Sequence, residues 1–263
     1  MPRLDPNDIK FRDAGHGYDI FGLNPRTVAA ATRIAGLLYD HYFRVTSHGA
    51  HHIPAGGSAI LAANHSGTLP LDAAMLYIDV LTHTDPPRVP RALLDVFVPR
   101  FPFVGAFFAR VGGVGGTRRN CRRLLQDGEL IMVFPEGAPG IAKTFNHRYE
   151  LQPWRVGHAE LAIEYRVPVI PVAIIGAEEQ WPLIARIDRF KVFGAPYLPI
   201  PATPLPLPAH YHIHYGEPIA LHEDYSRPDP DDPEIVAAAA ARVESAVQVL
   251  IERGLRERKG IFR

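Results

Sequence analysis

Thiols are almost missing from this sequence. One cysteine, Cys121, stands among 263 residues, which excludes an intramolecular disulfide and any cysteine cluster around a metal, and fits a reducing compartment. An excess of either charge is missing too. Lys plus Arg and Asp plus Glu number 28 each, so no global field draws the chain to nucleic acid or to an anionic surface, and no nucleic-acid partner is expected. No apolar run reaches the roughly 18 residues that cross a bilayer as a helix. The nearest, Ala92 to Val111, is broken by Asp95, Pro99, Arg100, Pro102 and Arg110. The N-terminus has charges at Arg3, Asp5, Asp8, Lys10, Arg12 and Asp13 and no apolar core of the signal-peptide kind. A cytoplasmic setting is therefore expected, with any membrane contact peripheral. The glycine-rich stretch Gly112 to Gly116 has neither Rossmann nor Walker spacing, which argues against a nucleotide cofactor.

Apolar residues make up 47% and charged residues 21%, the balance of a folded globular protein. Val28, Ala31, Ile34, Leu38 and Tyr42 recur at three- and four-residue steps and predict an amphipathic helix over Pro25–Phe43, packed on the core or laid on lipid. Ser58–Ala63, Glu129–Phe134 and Pro168–Ile175 read as strands. Arg118–Gln126 and Arg155–Tyr165 read as helices, and Thr68 and Pro70 suit the first turn of another that carries Asp72. Strands alternating with helices give an α/β fold with a mostly parallel central sheet flanked by helices. Six prolines between Pro196 and Pro208 favour an extended, backbone-unpaired segment that is no interior strand. Asp232 as cap, Pro233 in the first turn and the stripe Val236, Ala240, Val243, Val247, Leu250 mark a last helix, followed by a basic tail. A single domain over 1–263 is expected: an N-terminal helical region 1–44, a core 45–218 that carries the motifs, and the C-terminal helix and tail 219–263.

Two constellations carry chemistry. Asn64-His65-Ser66-Gly67-Thr68-Leu69-Pro70-Leu71-Asp72 lies where a strand gives way to a helix, and catalytic groups of α/β sheets collect at such strand ends. An imidazole there can take a hydroxyl proton at neutral pH, and a carboxylate on its other nitrogen fixes the tautomer. By spacing alone the pair reads equally well as a capping Asp beside a loop His. Phe134-Pro135-Glu136-Gly137 ends an apolar strand; the glutamate can accept hydrogen bonds from hydroxyls, and the glycine admits a ligand close to the backbone. Alone, it could be an ordinary strand exit.

Taken with Gly112-Gly113-Val114-Gly115-Gly116-Thr117-Arg118 and Val167-Pro168-Val169-Ile170-Pro171-Val172, these segments resemble, in order and spacing, the four motifs of the glycerophospholipid acyltransferases, typified by lysophosphatidic acid acyltransferase. The resemblance spans roughly Val45 to Pro218. It implies that His65 is a general base oriented by Asp72, that Arg118 binds the acceptor's phosphate, and that Phe134, Pro135, Glu136 and Gly137, with Asn64, shape the acceptor site. No metal and no resident cofactor are implied. The co-substrate is an acyl thioester, acyl-CoA or acyl carrier protein, and the acceptor is a lysophospholipid or related glycerolipid, 1-acylglycerol-3-phosphate first, met at the inner face of a membrane. Two features depart from the pattern. Six residues separate His65 from Asp72 where four are usual, so a local bulge has to restore their contact, and Pro139 stands where the family places an arginine.

Other residues have blander readings. Lys143, Arg148 and Arg155 could replace the arginine missing at 139 but read better as surface charges. Arg119, Arg122 and Arg123 read as a solvated basic face. His48, His51 and His52, and the alternating His210, His212 and His214, lack partners at metal-ligand spacing and read as strand-surface histidines. Phe97, Val98, Phe101, Phe103, Val104, Phe107 and Phe108 could line an acyl channel, although at least half of the aromatics are expected in the core. Three other readings stay open: a different lipid or alcohol acceptor, a lipid hydrolase or thioesterase, for which no Gly-x-Ser-x-Gly elbow is present, and a non-catalytic lipid-binding module.

Overall fold

The computed structural model describes residues 4–66, 70–95, 98, 101, 103–187, 198–224 and 229–263. Seven strands form the main sheet: β1 (Thr46–His48), β2 (Ala59–Ala63), β3 (Arg91–Leu94), β4 (Val114–Gly115), β5 (Leu130–Val133), β6 (Val169–Ile175) and β9 (His212–Tyr215). Their order is β1-β9-β6-β2-β5-β3-β4. Every pairing in it is parallel except β6 with β9. The α/β, mostly parallel expectation holds.

The central strands are apolar throughout because both of their faces are covered. Along β2, Ala59, Leu61 and Ala63 face one core with Met75, Leu76 and Ile78 of α2 (Leu71–His83), while Ile60 and Ala62 face the other. That second core is closed by α4 (Arg118–Gln126), α6 (Gly157–Tyr165) and α8 (Pro233–Glu257). Asp232 caps α8 as expected, accepting from the N–H groups of Glu234 and Ile235, and Pro233 fills the first turn. Gly254 lets α8 approach the sheet: a Cβ there would lie 2.1 Å from Ile175 Cδ1 and 2.7 Å from His214 Nε2.

Several expectations change. α1 (Pro25–Leu37) runs into a π-turn over Leu38–Tyr42, and its buried stripe is Val28, Thr32, Gly36, Tyr39 and Phe43. Ile34 and Leu37, placed inward or left out by the periodicity, are 73% and 64% exposed. Apolar residues surround this helix, so counting did not fix its inward face; small Thr32 and Gly36 permit close approach, and the π-turn rotates Tyr39 and Phe43 inward. The proline-rich segment is not unpaired. β8 (Leu198–Pro201) pairs antiparallel with β7 (Leu183–Ile187) in a separate two-stranded sheet, where missing N–H groups are tolerated at an edge. Of the aromatics assigned to a channel or to the core, none of those described is buried, and Phe103 on the lip of α3 (Val104–Arg110) is 91% exposed. Phe97 lies outside the described residues.

The alternating histidines are not surface groups either. His214 is 3% exposed, and its ring stacks on that of His48, with centroids 4.3 Å apart. His210 and His212 stack at the same separation. Among the described residues no group of three or more His, Cys, Asp or Glu is arranged to hold a metal ion.

Candidate active site

The parallel strands β2, β5 and β6 lie side by side and release their chains at one end of the sheet, where His65, Glu136 and Glu178 emerge. Asp72 reaches the same place from the first turn of α2, where the helix dipole favours a negative charge. Thr68, assigned to that turn, lies outside the described residues; the helix starts at Leu71 after Pro70.

His65 Nδ1 is 2.6 Å from Asp72 Oδ2. The same oxygen accepts the Ser66 N–H at 2.9 Å, and Oδ1 accepts the Ala73 N–H at 2.7 Å. Asp72 is wholly buried, whereas the His65 side chain keeps 16% exposure. The extra residues between them therefore do not part the pair, because Ser66 folds back onto the carboxylate. The Phe134 ring stacks against the imidazole, with centroids 4.2 Å apart and planes at 26°. With Nδ1 engaged by Asp72 and the ring held by Phe134, Nε2 remains for proton transfer.

Glu136, expected at the acceptor site, is engaged by the backbone in this structure. It is 1% exposed; Oε1 accepts the His65 N–H at 2.8 Å and Oε2 the Gln152 N–H at 2.8 Å. It braces the histidine's backbone. Asn64 is likewise occupied, donating through Nδ2 to the Ile174 carbonyl at 3.0 Å and accepting the Ile174 N–H at 2.7 Å, so that it prolongs the β2–β6 ladder where the main chain departs. Pro135 is buried beneath. Gly137 has φ +59°, and the Arg155 guanidinium lies 3.2 to 3.5 Å from where a Cβ would be. Arg155 is thus an exposed cation at the strand mouth. Arg118 follows its cap Thr117 into α4 and places its exposed guanidinium 2.7 Å from Glu160 Oε2. Glu160 is itself buried, so the contact joins an exposed guanidinium to a buried carboxylate and is no ordinary surface pair.

Sequence reading missed three contributors. Lys143, taken for a surface charge, is 3% exposed and sits 3.3 Å from Glu136 Oε2 and 3.0 Å from Glu178 Oε1. Glu178 follows β6 in the short helix α7 (Ala177–Gln180); burial pushes its carboxyl up to about 7, against the lowering pull of Lys143. Gly140 lies under the histidine, where a Cβ would come 2.8 Å from Glu136 Cβ and 3.1 Å from His65 Cβ. No local spacing marks these residues, since each is brought in by the loop after β5 or by the end of β6.

The sequence model of the acyltransferase family matches residues 44–175, half of the chain, and that span contains both His65 and Asp72. The chain belongs to this acyltransferase family. A Mycobacterium tuberculosis (strain ATCC 25618 / H37Rv) relative, described as an uncharacterized protein, is 35% identical over 258 residues, covering 94% of this chain and 72% of its own. A Bos taurus protein named DGAT1/2-independent enzyme synthesizing storage lipids is 28% identical over 213 residues, 78% of this acyltransferase and 58% of that protein. The crystal structure of 1-acyl-sn-glycerophosphate (LPA) acyltransferase, PlsC, from Thermotoga maritima superposes with a TM-score of 0.60 at 19% identity, over 89% of this chain and 81% of that one. That likeness shows a shared fold. The family match and the shared fold agree with the acyltransferase motifs read from the sequence.

Proposed function

We propose that this acyltransferase moves a fatty acyl group from an acyl thioester, acyl-CoA or acyl carrier protein, to a hydroxyl of a lysophospholipid or related glycerolipid, with 1-acylglycerol-3-phosphate the leading acceptor. The observation that carries the reading is the 2.6 Å contact between His65 Nδ1 and buried Asp72 at the strand mouth. His65 Nε2 takes the hydroxyl proton as the acceptor oxygen attacks the thioester carbonyl carbon. The tetrahedral adduct then collapses with cleavage of the C–S bond, and the imidazolium returns the proton to the leaving thiolate. Asp72 stabilises the cation between the two steps, and general-base help of this kind is worth about 10²–10⁴ in rate. A hydrolase using Ser66 is disfavoured because that hydroxyl is buried and has no hydrogen-bond partner among the described residues.

A second acceptor, a glycerolipid without a phosphate, is favoured by one observation: Lys143, a candidate substitute for the arginine replaced by Pro139, is locked between two carboxylates. The bovine relative's name, with its storage lipids, points the same way.

Acceptor and product both belong to a bilayer, and the proposed contact is peripheral, on the cytoplasmic face. Among the described residues no helix is long and apolar enough to cross a membrane. Ile34 and Leu37 of α1 and Phe103, Val104 and Phe107 of α3 instead form exposed apolar ground on neighbouring helices.

The test is incubation of purified protein with radiolabelled acyl thioesters and a panel of lysophospholipids and neutral glycerolipids. His65→Ala is expected to abolish transfer while leaving the circular dichroism spectrum intact. A variant with near-normal turnover, or free fatty acid as sole product of the native protein, overturns the assignment.

A further inference from the structure

Behind the imidazole, buried charge is laid across the end of the sheet. β2, which delivers His65, runs between β5 and β6. Glu136 leaves β5, Glu178 follows β6, and the Lys143 ammonium joins them at 3.3 and 3.0 Å. The three side chains are 0%, 6% and 3% exposed in the order Glu136, Glu178, Lys143. Two carboxylates this close and this dry do not both ionise without a cation between them.

Both oxygens of Glu136 are committed to backbone donors. Its oxygens accept the N–H groups of His65 and Gln152, each at 2.8 Å. A protonated carboxyl would turn one of those acceptors into a donor facing another donor. Breaking a buried ion pair by removing one partner leaves the other charge uncompensated, so loss of the lysine reaches the His65 main chain through one residue. Gly140 lets the β5 exit loop pack directly on the Glu136 Cβ and on His65, where a Cβ would come 2.8 and 3.1 Å away. The lysine's own burial keeps it from reaching a substrate phosphate.

We propose that Lys143 is a positioning residue for acyl transfer: by pairing with Glu136 and Glu178 it keeps Glu136 in place on the His65 backbone, and thereby holds the imidazole against Asp72. The inference rests on His65 being the base.

The test compares native protein with Lys143→Met, and with Arg148→Met as a control that removes an exposed cation lying over Phe145. Misplacement of a catalytic group by about 1 Å costs on the order of a hundredfold. Lys143→Met is therefore expected to lower kcat by about tenfold to a hundredfold at nearly unchanged KM for both substrates, with Arg148→Met at the native rate. In ¹⁵N-histidine-labelled protein, the downfield Nδ1 proton of the His65–Asp72 hydrogen bond, assigned by its loss in His65→Ala, should broaden or vanish in Lys143→Met. If that variant does not fold, Lys143→Met/Glu178→Gln removes the uncompensated carboxylate and is read in the same way, with kcat still reduced at least about tenfold. Native kcat in a folded variant, a loss confined to KM, an unchanged Nδ1 resonance, or failure of both variants to fold each overturns the proposal. Native protein that transfers no acyl group refutes the function instead, and the resonance still decides the role of Lys143.

Discussion

Exchange of Asp72 for Asn separates the orienting role of the carboxylate from its charge. Asp72 accepts three hydrogen bonds, from His65 and Ser66 on Oδ2 and from Ala73 on Oδ1. An asparagine amide cannot meet all of them. With its NH₂ on the Oδ2 side it confronts the Ser66 N–H and forces the imidazole to present a lone pair at Nδ1, which places the proton on Nε2 and abolishes the base. With its NH₂ on the Oδ1 side the tautomer survives, but the Ala73 N–H is left facing a donor and the imidazolium loses its counter-charge. Either orientation leaves a buried donor unmet at about 1–3 kcal/mol of stability. In the Ser-His-Asp triad the same change costs about 10⁴ in kcat. A fall of about 10²–10⁴ is therefore expected for Asp72→Asn, which at 1.36 kcal/mol per decade is about 3–5 kcal/mol of transition-state stabilisation. The assay is single-turnover transfer of a radiolabelled acyl group, read beside thermal unfolding. A folded Asp72→Asn enzyme within tenfold of native kcat would refute the reasoning, since neither orientation of the amide preserves both tautomer and charge.

Acid should destabilise the fold before it protonates ordinary carboxylates. Burial lowers His158, His212 and His214 to about 4, so the unfolded chain binds more protons than the folded one between about pH 6.5 and 4, and stability falls as pH drops through that window. Glu178, raised to about 7, works in the opposite sense by gaining a proton on folding, and so offsets part of the loss. Thermal unfolding between pH 7.5 and 4.5 should show a falling Tm that His214→Asn makes less steep; a Tm that is flat or rises on acidification contradicts this. On the lipid side, Ile34→Asp/Leu37→Asp should reduce sedimentation with anionic liposomes by at least about fivefold, the transfer cost of two exposed apolar side chains made charged being of kcal/mol size. Unchanged sedimentation removes α1 from the contact.

Legibility followed the range of the interactions. The strands β2, β5 and β6 were readable because both of their faces are buried, which leaves continuous apolar runs bounded by turn residues. α4 and α8 were readable from one-sided periodicity and explicit caps. α1 misled because Ile34 and Leu37 are apolar yet face outward, and a period count cannot tell a core stripe from a lipid-facing one. His65, Asp72 and Phe134 were singled out by strand ends and a helix start that the sequence marks, together with the resemblance to the acyltransferase motifs. Lys143 and Glu178 were not, since their partnership joins segments 35 residues apart through burial that no spacing encodes. The hydrogen bonds of Glu136 and Asn64 are hidden from the sequence for a related reason. Motif position told where they lie, but only the fold shows that the backbone of His65 and Ile174 has claimed their polar atoms.

Under the proposed function, the choice of acceptor turns on which of the candidate cations are free to change partners. Lys143 is not, because withdrawing it would strand two buried carboxylates, a loss that a single phosphate contact would have to exceed. Arg118 has a side chain that is 72% exposed, but its partner Glu160 is buried, so moving the guanidinium to a phosphate would leave that carboxylate without its cation. Arg155 lies flat over Gly137 without burial. On the proposed function, a phosphate-bearing acceptor would be met by an exposed cation such as Arg155 on the approach to α6, and not by a cation fixed within the β5 exit loop. That arrangement would place the affinity for phosphate in an exposed arginine and the alignment of the hydroxyl in the hydrogen-bonded His65–Asp72–Glu136 frame. An acceptor lacking phosphate would then lose binding but keep its rate at saturation, so the ratio of KM to kcat effects across the lipid panel separates the two acceptor classes without recourse to their names.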